Sequence, residues 1–339
     1  SENVIIGNNA GAALTTGGQN ILIGDNAGAG GAITGIRNVA VGDNALYSVV
    51  AGGGNIAIGY AAGNVVSSGD NNVAVGTEAL AACTTGAGNT AIGLSALKAL
   101  TTASNATAVG DYAADAVTTA SGVSAFGNGA LGACTTGANN TGIGVGAGED
   151  ITTSPNNTCV GYLAGRNIST GSGGNVVIGR EAGTSLTTGT NNIIIGDTSD
   201  VAAVDSAQSV TLGNGSIGTL RCQVQSISAL SDRRDKKDIQ DLDYGLDFIN
   251  TLHPVKFTWN MRSGDKVDIK ETGFIAQELD ESQNKFDAEE YLQLVLKDNP
   301  EKLEAAMGKL LPSMVKAIQE LSAKVEELEK WKEENTCCG

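Results

Sequence analysis

Through the first two-thirds of the chain, apolar and polar positions recur every 17 residues, or 18 in two cases, and each period closes a short apolar run on a glycine. The thirteen glycines are Gly7, Gly24, Gly42, Gly59, Gly76, Gly93, Gly110, Gly127, Gly144, Gly161, Gly179, Gly196 and Gly213. The residue before each is large and apolar in every copy, from Ile6 through Val75 and Phe126 to Leu212. Two residues earlier stands Val, Ile, Thr or Ser, and the residue between is commonly Ala. Alternation with period two predicts a short strand, its two outer residues on one face and the small residue on the other. The small side is expected to leave room for a further backbone layer or a neighbouring subunit.

Seven residues past the glycine an apolar side chain recurs, as at Leu14, Val49, Leu100, Ile151 and Leu186. Thr-Thr or Ser-Thr commonly follows and then often Gly, a turn composition. Each period therefore reads as about two short strands and two turns, one coil of a β-solenoid or β-roll. At a strand spacing of about 4.8 Å, thirteen coils would stack to about 60 Å. An asparagine stands four residues before the glycine in ten of the thirteen copies, for example Asn3, Asn20, Asn72, Asn140 and Asn192. One amide per coil at one height predicts a hydrogen-bonded ladder along the stack.

The pattern changes near Arg221. Residues 1–220 hold 4 Lys/Arg and 13 Asp/Glu, whereas residues 221–339 hold 17 and 24. This shift divides the chain into a repeat shaft at 1–220, a junction at 221–230 and a second domain at 231–339. The second domain reads as compact α+β, and a long helix over about 303–335 ends it. There Leu311, Ile318 and Val325 repeat every seven residues, with Met314, Leu321 and Leu328 interleaved, the seam of a coiled coil. Ile/Val at one seam position with Leu at the other favours two strands in isolated helices.

Only 4% of residues are aromatic, and both tryptophans, Trp259 and Trp331, lie outside the repeat. Coils with so little apolar mass are expected to associate, most simply in threes. A net charge of −16, with both parts acidic, argues against nucleic acid or an anionic membrane as partner. No run approaches 18 apolar residues and no basic-then-apolar leader opens the chain, so no membrane insertion is expected.

Two resemblances follow from these residues. The coils resemble the β-roll heads of trimeric autotransporter adhesins, whose Asn-Ser/Thr-Ala-Ile-Gly segments recur at a somewhat shorter period. The second domain resembles the C-terminal intramolecular chaperone of endosialidase-type phage tail spikes and tail fibres. It shares Ser-Asp-x-Arg-x-Lys-Lys-x-Ile at residues 231–239, Gly-Phe-Ile-Ala-Gln-Glu at residues 273–278, and the terminal coiled-coil helix. That resemblance implies a module that trimerises, guides folding of a β-rich shaft and then cuts itself off. It also implies Ser231 as nucleophile and Lys236 as base, with the cut between Leu230 and Ser231.

A serine hydroxyl needs a base, and a lysine serves as one only when it is neutral. Arg233, Arg234 and Lys237 would favour the neutral amine, whereas Asp235, standing where the family often has leucine, would favour the ammonium. The bland alternative is that Ser231 opens a charged linker and the chaperone stays attached.

Other chemistry has weaker footing. His253, the single histidine, sits beside Pro254 at a strand entry, and the cysteines have no metal-ligand spacing, so neither metal nor cofactor is expected. Cys83, Cys134 and Cys159 fall in apolar slots of the coil and read as buried hydrophobes. Cys222 lies at the junction; Cys337 and Cys338 follow the helix. Asp111, Asp115, Glu149 and Glu181 are scattered rather than paired as glycoside hydrolysis requires.

The sequence thus predicts a mostly β, trimeric fibre or spike component of a virion, made in a host cytoplasm. Its partners would be itself, other virion or baseplate proteins and a host-surface glycan or receptor. Any enzymatic step would be a single self-cleavage. The alternative is a bacterial-type trimeric surface adhesin with a permanent C-terminal trimeriser.

Overall fold

The computed structural model describes residues 2–336 apart from 172, 218, 222, 224–228, 230, 263 and 265. It divides into two compact units, Ser1–Asn214 and Gly215–Gly339.

The first unit is a β-solenoid. Thirteen three-residue strands, β1 (Val4–Ile6) to β13 (Val210–Leu212), form one parallel sheet in chain order. Each strand pairs with the next, one coil on, so that Val73 meets Thr90 and Val75 meets Ile92. The two longer periods keep this register, Ile21 meeting Val39 and Thr158 meeting Val176.

The strands bury the face opposite to the one expected. The middle residue of the strand points inward, and Leu22, Ala40, Ala57 and Ala91 are fully buried. The β-branched and other large residues on either side point out, half-buried or exposed. A coil of 17 residues encloses a narrow interior, and the rest of the coil supplies its large side chains. Leu46, Leu80, Leu97 and Leu131 enter from the turn after the glycine, and Val49, Leu100 and Ile151 from the next corner. Only small strand residues fit between them.

One strand per coil forms rather than two. The segment after the glycine repeatedly takes the left-handed conformation at alternate residues, as at Glu78 (φ 55°) and Leu80 (φ 53°), or Ser95 (φ 56°) and Leu97 (φ 50°). Alternate left-handed residues curl the chain into successive turns and preclude an extended strand. Its amides still bond to the next coil, Leu80 N–H to Ala96 O at 2.9 Å and Ala82 N–H to Lys98 O at 3.0 Å.

The repeating glycine is required by close approach. Gly76 has φ 132°, and a Cβ there would collide with the carbonyl of Gly93 in the next coil. The asparagines before the strands form the expected ladder. Asn72 donates its backbone N–H to Asn55 Oδ1 (2.9 Å) and its side-chain amide to Gly86 O (2.9 Å), while its own Oδ1 accepts the backbone N–H of Asn89 (3.0 Å). The ladder is interrupted where Ala106 and Val123 take the asparagine position. A second ladder runs on threonine hydroxyls: Thr84 donates to Thr101 O, Thr101 to Thr118 O and Thr118 to Thr135 O.

The second unit contains α1 (Leu246–Ile249), the antiparallel hairpin β14 (Val255–Asn260) and β15 (Val267–Gly273), α2 (Ala276–Lys285) and α3 (Glu289–Leu292). A two-residue pair, β16 (Val295–Leu296) with β17 (Glu304–Ala305), precedes α4 (Leu311–Thr336). Its core gathers Phe248, Leu279, Leu292, Leu294 and Leu310, with Phe248 edge-on to Phe286 at 5.4 Å. The final helix starts later than the expected residue 303 because Glu304 and Ala305 pair with β16 and a 3₁₀ turn follows at Met307–Leu310. Pro312, which has no N–H to give, then fits the first turn of α4.

Asn72→Ala would leave Gly86 O and two Asn89 donors without their partner in a buried stack. A loss of about 1–3 kcal/mol is expected, read as a lower denaturant midpoint followed by circular dichroism. An unchanged midpoint would mean that the ladder adds nothing to backbone pairing.

Candidate functional site

At the start of the second domain, Asp232 caps a 3₁₀ turn at Arg233–Asp235. Its carboxylate accepts the Arg234 backbone N–H at 2.9 Å, as short polar caps do. It also accepts the Arg234 guanidinium on both oxygens, Nε at 3.1 Å and Nη2 at 2.6 Å. The turn closes with Lys236 N–H donating to Arg233 O. The chain is thereby folded back, and Lys236 Nζ donates to Ser231 Oγ at 2.6 Å. A hydroxyl and an amine five residues apart are in direct contact.

The electrostatics are quieter than the run of charges implies. Arg234 is occupied by Asp232, and its hydrogen bonds hold the Asp232 carboxyl below the usual carboxylate range. The cap therefore persists above that range and is lost as pH falls through the lowered value. Asp235 lies within the turn, and among the described residues no ion pair or hydrogen bond engages its side chain. Ser231 and Lys236 are both exposed. Leu230, the other side of the expected cut, lies outside the described residues.

The seam residues of α4 are all exposed: Leu311, Met314, Ile318, Leu321, Val325 and Leu328. Val315 and Trp331 lie exposed beside them. The other side of the helix is used within the unit, where Ser313 and Ala317 are buried and Glu320 accepts the Leu246 N–H at 2.7 Å. Thus the apolar seam points away from the unit's own core.

His253 Nδ1 lies 3.1 Å from Glu278 on the surface, and among the described residues no serine hydroxyl joins the pair. Among the described residues no three His, Cys, Asp or Glu side chains are grouped to hold a metal ion, and no helix is long and apolar enough to cross a membrane. Glu149 pairs with Arg166 and Glu181 with Arg180, while Asp111 accepts the Leu94 N–H. The Glu149 and Asp111 contacts each tie one coil to the next. Cys83, Cys134 and Cys159 are buried; Cys222, Cys337 and Cys338 lie outside the described residues. Burial pushes the Cys83 thiol up to about 11 and the Cys159 thiol up to about 12.

The capping role of Asp232 was the part of this site that charge reasoning passed over. A short acid one residue before a turn is itself a cap signal, and here it faces the backbone rather than the lysine. The second unit also has a groove of about 570 Å³ beside the hairpin, lined in part by Trp259, Phe274, Leu303 and Met307.

Residues 231–288 match the family model described as chaperone of endosialidase, the match opening on Ser231 itself. No curated protein and no solved structure matches the chain.

Thiol accessibility checks the shaft interior. Iodoacetamide at pH 8 is expected to leave Cys83, Cys134 and Cys159 unlabelled in the native chain and to label all three in denaturant. Peptide mass mapping distinguishes the cases, and rapid native labelling would contradict a closed coil.

Proposed function

We propose, from a chaperone-of-endosialidase segment at residues 231–288 standing behind a β-solenoid, that the chain is a structural fibre or spike component of a virion. The shaft, residues 1–220, supplies length and contact with other virion proteins and with a host-surface receptor. The junction spans residues 221–230. Residues 231–339 bring three chains together, guide folding of the shaft and then detach by cutting before Ser231. The observation that carries this reading is the coincidence of the first matched residue with the serine held by Lys236.

The cleavage step balances as follows. Neutral Lys236 takes the Ser231 hydroxyl proton, and Oγ bonds to the carbonyl carbon of residue 230. The bond from that carbon to the Ser231 nitrogen breaks, and the lysine ammonium returns its proton to the leaving nitrogen. The product is an ester between residue 230 and Ser231 Oγ. Water, deprotonated by the again neutral lysine, hydrolyses it to a free carboxylate and the original hydroxyl. Asp232 and Arg234 position the lysine through the turn that they hold.

Assembly is supported by α4. Its seam is exposed, and Val315 and Trp331 broaden the apolar stripe beyond the narrow seam that two helices cover. Joining three chains there raises the local concentration of repeats, so slow, non-local strand pairing proceeds without aggregation.

Intact-mass measurement of freshly expressed wild type beside Ser231→Ala and Lys236→Ala tests the chemistry. Cleavage before Ser231 in wild type alone is expected; an unbroken chain of 339 residues in all three would make the module a permanent clamp.

Removing residues 231–339 from the coding sequence tests the chaperone role. The shaft made alone is expected to collect in the insoluble fraction, and soluble, well-folded trimers from it would overturn the assignment.

A further inference from the structure

The outward columns of the shaft's sheet differ from the rest of its surface. They comprise 26 positions, two from each of β1 to β13, and none holds a charged residue, although residues 1–220 carry 17 charges elsewhere. Twenty-one positions are aliphatic or aromatic and five are Ser or Thr. All are open to solvent in the single chain to some degree; Ile58 is 42% exposed, Ile143 43% and Leu212 51%. At roughly 50 Å² apiece, the apolar members expose on the order of 1,000 Å². A monomer ordinarily shows a few hundred, and a standard interface takes about 800 Å² per partner.

We infer that this face is where the shafts of neighbouring copies of the chain pack on one another. The inference rests on the self-association proposed above and assigns it a second surface, separate from the helix seam. Every copy carries the same period. Copies running in one direction and in one register therefore set aliphatic column against aliphatic column at every coil. The five hydroxyl residues, Thr90, Thr107, Ser124, Thr141 and Thr158, are consecutive in one column, from the strand Thr90–Ile92 to the strand Thr158–Val160. An apolar column with a polar middle marks that register, because a shift along the axis sets hydroxyls against aliphatic side chains.

A bound glycan fits the face less well. It needs directional polar partners and ring platforms, whereas these columns hold one aromatic, Phe126, and no amide or charge. Dry aliphatic contact is what such a surface supports. The contact lies wholly within residues 4–212, so it survives release of residues 231–339 and keeps the shafts joined without the helix.

The test uses the full chain carrying Ser231→Ala, so that it stays whole, with Cys222, Cys337 and Cys338 replaced by Ser. Single cysteines are placed at Val109 and Ile143 on the face, at exposed Thr119 on another side of the coil, and at Leu321 in the helix seam. A short bismaleimide is added, linked chains are read on denaturing gels, and mass is read by sedimentation. Val109→Cys, Ile143→Cys and Leu321→Cys are expected to link nearly completely, with Thr119→Cys at background.

Linking at Leu321→Cys without linking on the face, or linking at Thr119→Cys equal to the face, overturns the inference and leaves helix-driven association intact. Failure at Leu321→Cys as well, with the mass of one chain, overturns both readings.

Discussion

The shaft depends on how closely one coil lies on the next. At Gly76 the place a Cβ would occupy is filled by the carbonyl of Gly93, and the same approach recurs along the stack. Strand pairing, the asparagine amides and the threonine hydroxyls all need that spacing, and together they satisfy the backbone of a coil that has little apolar mass to hold it. Interior leucines and alanines fill what room remains. Polar satisfaction and packing are therefore one constraint here, since a coil pushed out of register loses both.

The candidate cleavage site has the opposite economy. Six consecutive residues build it, and its geometry comes from a single capped turn rather than from a pocket. Asp232 holds Arg234, the turn brings Lys236 to Ser231, and no distant element is needed to make the contact. A site so local can accompany a module as a cassette. Arg234, one of the three cations expected beside Lys236, is taken up by Asp232.

Much of this was legible in the chain. The 17-residue period located every strand of the solenoid, and the heptad located the exposed seam of α4. Alternation alone did not say which strand face turns inward. Big side chains usually point to a core, but here the core is too narrow, and Leu46 or Leu100 already fill it from the turns. The second strand of each coil failed for a local reason. Left-handed backbone at residues such as Leu80 and Leu97 is not announced by leucine, which seldom adopts it, and only the neighbouring copies with Gly at the same slot hint at it. The late start of α4 likewise depends on β16 and β17 pairing, a contact no helical period reports. Asp232 was visible as a charge, while its work as a cap is a matter of backbone direction.

Because each coil touches only the coil above and the coil below, the shaft behaves as a ruler with interchangeable divisions. Duplicating or deleting one 17-residue unit within the gene would leave the contacts of every other unit as they were. The length of the solenoid can thus drift in steps of about 4.8 Å over evolutionary time. In the packing inferred above, identical chains would all change together, so a longer or shorter shaft would still meet its copies division for division.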